Sequence, residues 1–269
     1  MSLVSIFVLF FIFLLVLLSL KISWWRSTVD VKFPRILMYH MVSRRVPGAK
    51  FNKLRVSPER FEQQIQWLVN NGWNFEFLSD VLSGSEIKPK TVCLTFDDGF
   101  QDNYTYVHPI LSKYNAKATL YLVVDRFNND WSTAKKAHHN SGELMLEPKL
   151  SDSEVSQMLG SGIWELGGHS VTHANLSSLD NDQKISEISN CKKILESVFK
   201  AEVKTFAYPF GIFDSQDAAI VENNKFIGAV TTEQGISTDN ESKFKLKRLK
   251  VSGKDLLPQF INRLRTGKR

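Results

Sequence analysis

Between Ile36 and Val251, apolar runs of strand length alternate with segments of helical periodicity, and few folds accommodate that alternation. It implies βα units around a mostly parallel sheet. Ile36–His40, Thr91–Phe96, Ala118–Val124, Trp164–Leu166, Thr205–Tyr208, Ile227–Thr231 and Leu246–Val251 read as the strands. Ser57-Pro58 opens a helix, with Ser as the cap and Pro at the first helical position. That helix carries Phe61, Ile65, Leu68 and Val69 on one face. A second runs from about Gln183 to Phe199, with Ile185, Ile188, Ile194, Leu195 and Val198 as its apolar stripe. A shorter one lies near Asp217–Asn224, and a basic helix follows the last strand. Polar residues recur where strands end: His40, Asp97, Asp98 and His169. In βα barrels catalytic groups gather at that edge. The expected fold is therefore α/β, a distorted or incomplete (β/α) barrel rather than an open doubly wound sheet.

Ahead of this domain, Leu3 to Leu20 form an uncharged run whose polar members are Ser5 and Ser19. At about 1.5 Å per helical residue such a run reaches about 27 Å, enough to cross a hydrocarbon core. No Lys or Arg precedes it and no A-x-A site follows, which argues against a cleaved signal peptide. Trp24 and Trp25 suit the interfacial aromatic belt. The expected organisation is one transmembrane helix, residues 1–25, and one catalytic domain, residues 26–269. Lys21, Arg26, Lys32, Arg35, Arg44 and Arg45 all follow the run, so the positive-inside rule turns the domain toward the cytoplasm, on the inner (cytoplasmic) membrane.

The chain has 269 residues, 43% of them hydrophobic, which supports a single sizeable core. Its net charge of +6 comes with no nucleic-acid-binding signature, so an anionic membrane surface is the better partner for it. Cys93 and Cys191 form no C-x-x-C pair, and Cys93 reads as a small core residue.

Asp97 and Asp98 are adjacent carboxylates at a strand end, where two unpaired charges would repel and be costly to desolvate. A metal ion removes the difficulty if one binds it and the other stays available as a base. His169 and His173 are spaced i, i+4, so one helical turn would point both imidazoles the same way. With Asp98 they offer two nitrogens and one oxygen to a divalent metal, with positions left open for water and substrate. Alone, an Asp-Asp-Gly is more often a turn and a His pair more often a surface pair; their conjunction at strand ends favours chemistry. The stretch from Phe127 to Leu150 fits no regular element and reads as an insertion beside this face. Its Asp130, Trp131, His138 and His139 are candidates for substrate contact, or simply solvated.

Thr95-Phe96-Asp97-Asp98-Gly99 and His169-Ser170-Val171-Thr172-His173 resemble the first two motifs of the polysaccharide deacetylases, the NodB-homology group of carbohydrate esterases, over roughly residues 35 to 265. The resemblance implies that Asp97 is the general base and that Asp98, His169 and His173 bind zinc or a similar metal. Members of that family commonly supply the general acid from a late Leu-x-His, and no His follows His173 here. His40, in Met38-Tyr39-His40-Met41-Val42, resembles the early strand-end His of the exopolysaccharide deacetylase branch, which makes it the candidate acid; otherwise it is a structural His. Where many members have Arg-Pro-Pro-Tyr, this chain has Tyr208-Pro209-Phe210-Gly211. Those four residues and Arg248 form the expected substrate- or oxyanion-facing set, and Arg248 is also the candidate to orient Asp97.

The implied activity is metal-dependent removal of an acetyl group from an N-acetylhexosamine. The anchor, the basic flank and the expected cytoplasmic face favour an amino sugar on a polyprenyl phosphate at the membrane surface, as in lipid A or envelope glycan modification. A polymeric substrate, a periplasmic exopolysaccharide or peptidoglycan, becomes the better reading if the topology is reversed. A non-haem iron oxygenase shares the two-His, one-carboxylate set but leaves the second Asp without a role. A non-catalytic sugar-binding protein is a third possibility, against which the full ligand set and base argue.

Overall fold

The computed structural model describes residues 2–22, 25–84, 86–127 and 142–268. Trp24, Asp130, Trp131, His138 and His139 lie outside the described residues. The strands are β1 (Arg35–Tyr39), β2 (Asn74–Phe75), β3 (Thr91–Asp98), β4 (Ala118–Leu122), β5 (Trp164–Gly168), β6 (Thr205–Ala207), β7 (Gly228–Gln234) and β8 (Leu246–Lys250). The α-helices are α1 (Leu3–Ile22), α2 (Pro58–Asn70), α3 (Leu78–Leu82), α4 (His108–Tyr114), α5 (Glu143–Leu146), α6 (Asp152–Gly160), α7 (Asn181–Phe199), α8 (Ser215–Asn223) and α9 (Leu257–Thr266).

Every strand pair is parallel, and β1 pairs with both β8 and β3. The barrel is therefore closed by seven strands rather than incomplete, with β2 appended to the start of β3. Distortion is local: the β7–β8 register slips between Val230 and Gln234. The two-residue alternation of a strand sorts side chains between lumen and helices. Ile36, Cys93, Tyr121, Ala207, Val230 and Leu246 gather with Leu78 of α3 in one cluster. Their strand neighbours, Leu37, Tyr39, Val92, Leu94 and Phe96, pack outward in the main core with Phe61, Ile65 and Leu68 of α2.

Ser57 caps α2 by accepting the Arg60 N–H, as its Ser-Pro start implied. Val69, expected on its apolar face, is exposed. On α7 the buried row is Ile188, Cys191 and Leu195, while Ile185, Ile194 and Val198 are exposed. The stripe is narrower than expected because Cys191, one turn from both Ile188 and Leu195, completes the contact with the barrel. The insertion is not wholly irregular: α5 lies within it, and buried Arg55 joins Glu147 at 2.5 Å and Glu143 at 3.4 Å.

The chain enters the barrel from its N-terminal end. Val29 N–H donates to the Arg265 carbonyl at 2.7 Å, and Arg35 donates to the carbonyls of Val29, Asp30, Phe33 and Leu264. These bonds pin residues 29–33 beside the end of α9, against which α1 also packs. Among the described residues no helix is long and apolar enough to cross a membrane. The side chains at 18 and 20–22 of α1 are outside the described set, and Leu3, Phe7 and Phe11 are exposed.

Candidate active site

β3 brings Thr95 and Asp97 to the lumen and ends at Asp98. Arg248, on β8, lies in the same lumen, fully buried. Its two terminal nitrogens donate to the two oxygens of Asp97 at 2.7 Å each, and one also reaches Thr95 Oγ1 at 3.0 Å. Nε donates to the Thr231 carbonyl at 2.8 Å. Burial pushes the Asp97 pKa up, but the charge and hydrogen bonds of Arg248 outweigh it, so Asp97 sits below the usual carboxylate range. A bidentate guanidinium also fixes the carboxylate's plane. Four of the five Arg248 N–H groups thus donate inside the barrel, two of them to Asp97.

Asp98 and Gly99 both take left-handed backbone angles, φ 78° and 83°, which turn the chain sharply at the rim. A Cβ on Gly99 would run into Leu122, so only glycine fits there. From β5, His169 extends the ladder by donating its N–H to the Leu122 carbonyl at 3.2 Å. Its Nδ1–H donates to the Ala207 carbonyl at 2.7 Å, which leaves Nε2 as the lone-pair nitrogen. His173 is not one helical turn further on. It sits in a loop whose left-handed angles at Ser170 (φ 63°) and His173 (φ 55°) fold the second imidazole back. Glu187 of α7 holds that loop, accepting from Val171 N–H, Thr172 N–H and Thr172 Oγ1 at 2.8–2.9 Å. Sequence reasoning missed Glu187; the available signal was an acidic residue set among the apolar positions of a helix that follows the His motif.

Both Nε2 atoms lie 3.3 Å from Asp98 Oδ1, and the three ligand atoms fall within 4.8 Å of one another. Tetrahedral ligands at zinc-like bond lengths are separated by about 3.4 Å, so the spacing fits one ion. Asp98 Oδ1 is buried and, among the described residues, accepts no hydrogen bond, as an oxygen meant for a cation would. Burial raises the Asp98 pKa, but the two imidazoles more than reverse it, leaving the carboxyl well below its ordinary range. Burial lowers both histidines and Asp98 raises them; His169 ends above and His173 below the usual imidazole value. The residues therefore fit a divalent metal, held by Asp98 Oδ1, His169 Nε2 and His173 Nε2.

His40 follows β1 at the same rim, half-buried, within electrostatic reach of both Asp97 and Asp98. Its carbonyl accepts from Asn103 Nδ2 at 3.0 Å, which fixes the backbone there. Tyr208 does not present its hydroxyl to the mouth: it is buried, with the phenol donating to the Phe244 carbonyl at 3.0 Å and its N–H to the Val230 carbonyl at 3.2 Å. Gly211 N–H closes on the Tyr208 carbonyl at 2.9 Å, and Pro209 has no N–H. Of that turn, Phe210 reaches the site, its ring edge-on to His173 at 4.4 Å.

Fold and site define a βα-barrel enzyme with an Arg-held aspartate beside a carboxylate–bis-imidazole centre. A family model of polysaccharide deacetylases matches residues 84–227, more than half of the chain, and the chain belongs to that family. It is thereby a carbohydrate deacetylase, a hydrolase of amide bonds. The poly-beta-1,6-N-acetyl-D-glucosamine N-deacetylase of Staphylococcus aureus (strain MRSA252) is 26% identical over 220 residues, 77% of this chain and 71% of that protein. YxkH of Bacillus subtilis (strain 168) is 29% identical over 234 residues, 86% of this chain and 75% of that protein. Among solved structures, the Streptococcus pyogenes deacetylase PplD in complex with acetate superposes with a TM-score of 0.71 at 25% identity, over 87% of this chain and 98% of that one.

Proposed function

We propose that the protein is a metal-dependent N-deacetylase of an N-acetylhexosamine polymer, most closely a β-1,6-linked N-acetylglucosamine glycan, held at a membrane by α1. The observation that carries this reading is the juxtaposition of Asp97, locked by Arg248 at 2.7 Å, with the Asp98–His169–His173 cluster. The divalent metal, when bound, supplies the positive charge that polarises the acyl carbonyl and acidifies water. Asp97 accepts the proton of the attacking water, and its fixed plane keeps one lone pair aimed at it. His40 then donates a proton to the leaving amine. Phe210, against His173, narrows the mouth around the acetyl group.

A polymer is favoured over a sugar on a polyprenyl phosphate by the direction of the barrel. The chain is pinned at the N-terminal end of the strands, whereas Asp97, Asp98 and His169 lie at the C-terminal end. The eight residues of β3 span roughly 26 Å between those ends. The catalytic rim then faces away from an α1 anchor, out of reach of a headgroup in the same bilayer. The exposed apolar side chains of α1 support the anchor. A polymer substrate puts the domain outside the cytoplasm, against the expectation from charge. Of the charges behind that expectation, Arg35 is buried under the barrel, and Arg44 and Arg45 follow β1 at the opposite rim. The test is acetate release from β-1,6-linked N-acetylglucosamine oligomers by the zinc-loaded and the chelator-stripped protein. Zinc-dependent release is expected; no release from any amino-sugar polymer would sink the reading.

A further inference from the structure

On the catalytic rim, the loop after β1 and the loop after β8 enclose a cavity of about 400 Å³ lined by Arg45, Ser57, Arg60, Gly253 and Lys254. Three of its five lining residues are cationic and none is acidic. Glu59 pairs with Arg44 at 3.2 Å and Asp255 with Arg263 at 2.6 Å, and among the described residues Arg45, Arg60 and Lys254 join no ion pair. The cavity's floor is built rather than incidental. Gly253 N–H donates to the Lys53 carbonyl at 3.1 Å, and Arg60 Nη1 donates to the Gly253 carbonyl at 2.8 Å. A Cβ on Gly253 would collide with the Arg55 carbonyl, so the two loops meet backbone to backbone.

We infer that this cavity is a subsite for an anionic substituent, a carboxylate or phosphate, on the glycan chain that the active site deacetylates. It rests on the deacetylase reading above and narrows the N-acetylhexosamine polymer to one whose neighbouring sugars carry anions, in place of an unsubstituted β-1,6-linked N-acetylglucosamine glycan. The chemistry is that of a guanidinium fork and an ammonium around one oxyanion. Placement agrees: β8 adjoins β1 and β1 adjoins β3, so two strand spacings, about 10 Å, separate the β8 loop from the strand carrying Asp97 and Asp98. A neighbouring sugar of the same chain reaches that far. The rim faces away from the anchored end, so the anion belongs to the polymer and not to a carrier lipid.

The test compares a neutral N-acetylglucosamine oligomer with one of equal length that alternates with N-acetylmuramic acid and so carries carboxylates. Acetate release is read at low and high salt for the full chain and for the double variant Arg45→Ala, Lys254→Ala, both at exposed positions. Two exposed cations predict a KM about three- to ten-fold lower for the anionic oligomer at low salt, fading as salt rises. In the double variant the two KM values converge. Equal KM values in the unmodified protein, or a preference that survives the double substitution, overturn the inference. If neither oligomer releases acetate, the deacetylase reading fails, and calorimetric affinity decides the subsite: tighter binding of the anionic oligomer supports it and equal affinities refute it. A polyprenyl-phosphate sugar that binds better than either oligomer also refutes it.

Discussion

Arg248 and Asp97 are separated by 151 residues in sequence and by 2.7 Å in space, across the lumen of the barrel. The pair sets both the position and the charge of the proposed base. Replacing Arg248 by Met leaves the Asp97 carboxylate buried without its counter-charge, which costs about 3–5 kcal/mol of stability. With the lowering influence gone, burial governs and the Asp97 pKa rises. In the unmodified protein the depressed Asp97 pKa adds stability at neutral pH, and that stability is lost as pH falls through the folded value. The acid limb of the kcat/KM profile should therefore move to higher pH in Arg248→Met. An unmoved limb would mean that Arg248 does not tune the base.

His40 supplies the proton that the amine needs, in this account. His40→Gln should lower kcat by about a hundred- to ten-thousand-fold while leaving KM and metal content near their original values. An undiminished kcat would assign the acid elsewhere.

Gly211 takes φ 68°, and a Cβ there would strike Thr232. Gly211→Ala combines left-handed strain with a steric clash, so thermal unfolding should report a loss of about 2 kcal/mol or more. Because this turn carries Phe210 against His173, acetate release should fall with it. A variant as stable as the parent would contradict the turn's geometry.

Asp102 gives a pH dependence of another kind. Burial raises its pKa to about 7, although hydrogen bonds from Val42 and Ser43 pull it down. Unfolded chains release this proton near pH 4, so the fold loses stability as pH rises from about 4 to about 7. Asp102→Asn removes that loss. Its melting temperature should rise relative to the parent between pH 5 and 8, by the equivalent of about 1–2 kcal/mol after allowance for screening. A difference independent of pH would rule this out.

Much of the architecture could be read from residue order. β1 and β5 end at Tyr39 and Gly168, each one residue before the polar His40 and His169 that close their apolar runs, and β3 ends on Asp98 itself, because a polar side chain at the rim is where the lumen meets solvent. Closure of the barrel was not legible, since the β1–β3 and β1–β8 pairings join segments whose sequences carry no mark of register. The histidine pair shows a subtler failure. Spacing of i, i+4 suggested a helical turn, yet left-handed angles at Ser170 and His173, held by Glu187, achieve the same convergence from a loop. The partner of the Tyr208 hydroxyl was equally hidden: it donates to the Phe244 carbonyl within the core, 36 residues away in sequence.

The central claim is one divalent metal held by Asp98, His169 and His173. Its most direct test is elemental analysis of the protein after chelation and reloading with zinc, paired with the same measurement on His173→Gln. One zinc per chain is expected in the parent, with a drop in affinity of about a hundred-fold or more in the variant and the fold intact by circular dichroism. Equal zinc retention by both proteins, or none by the parent, would contradict it.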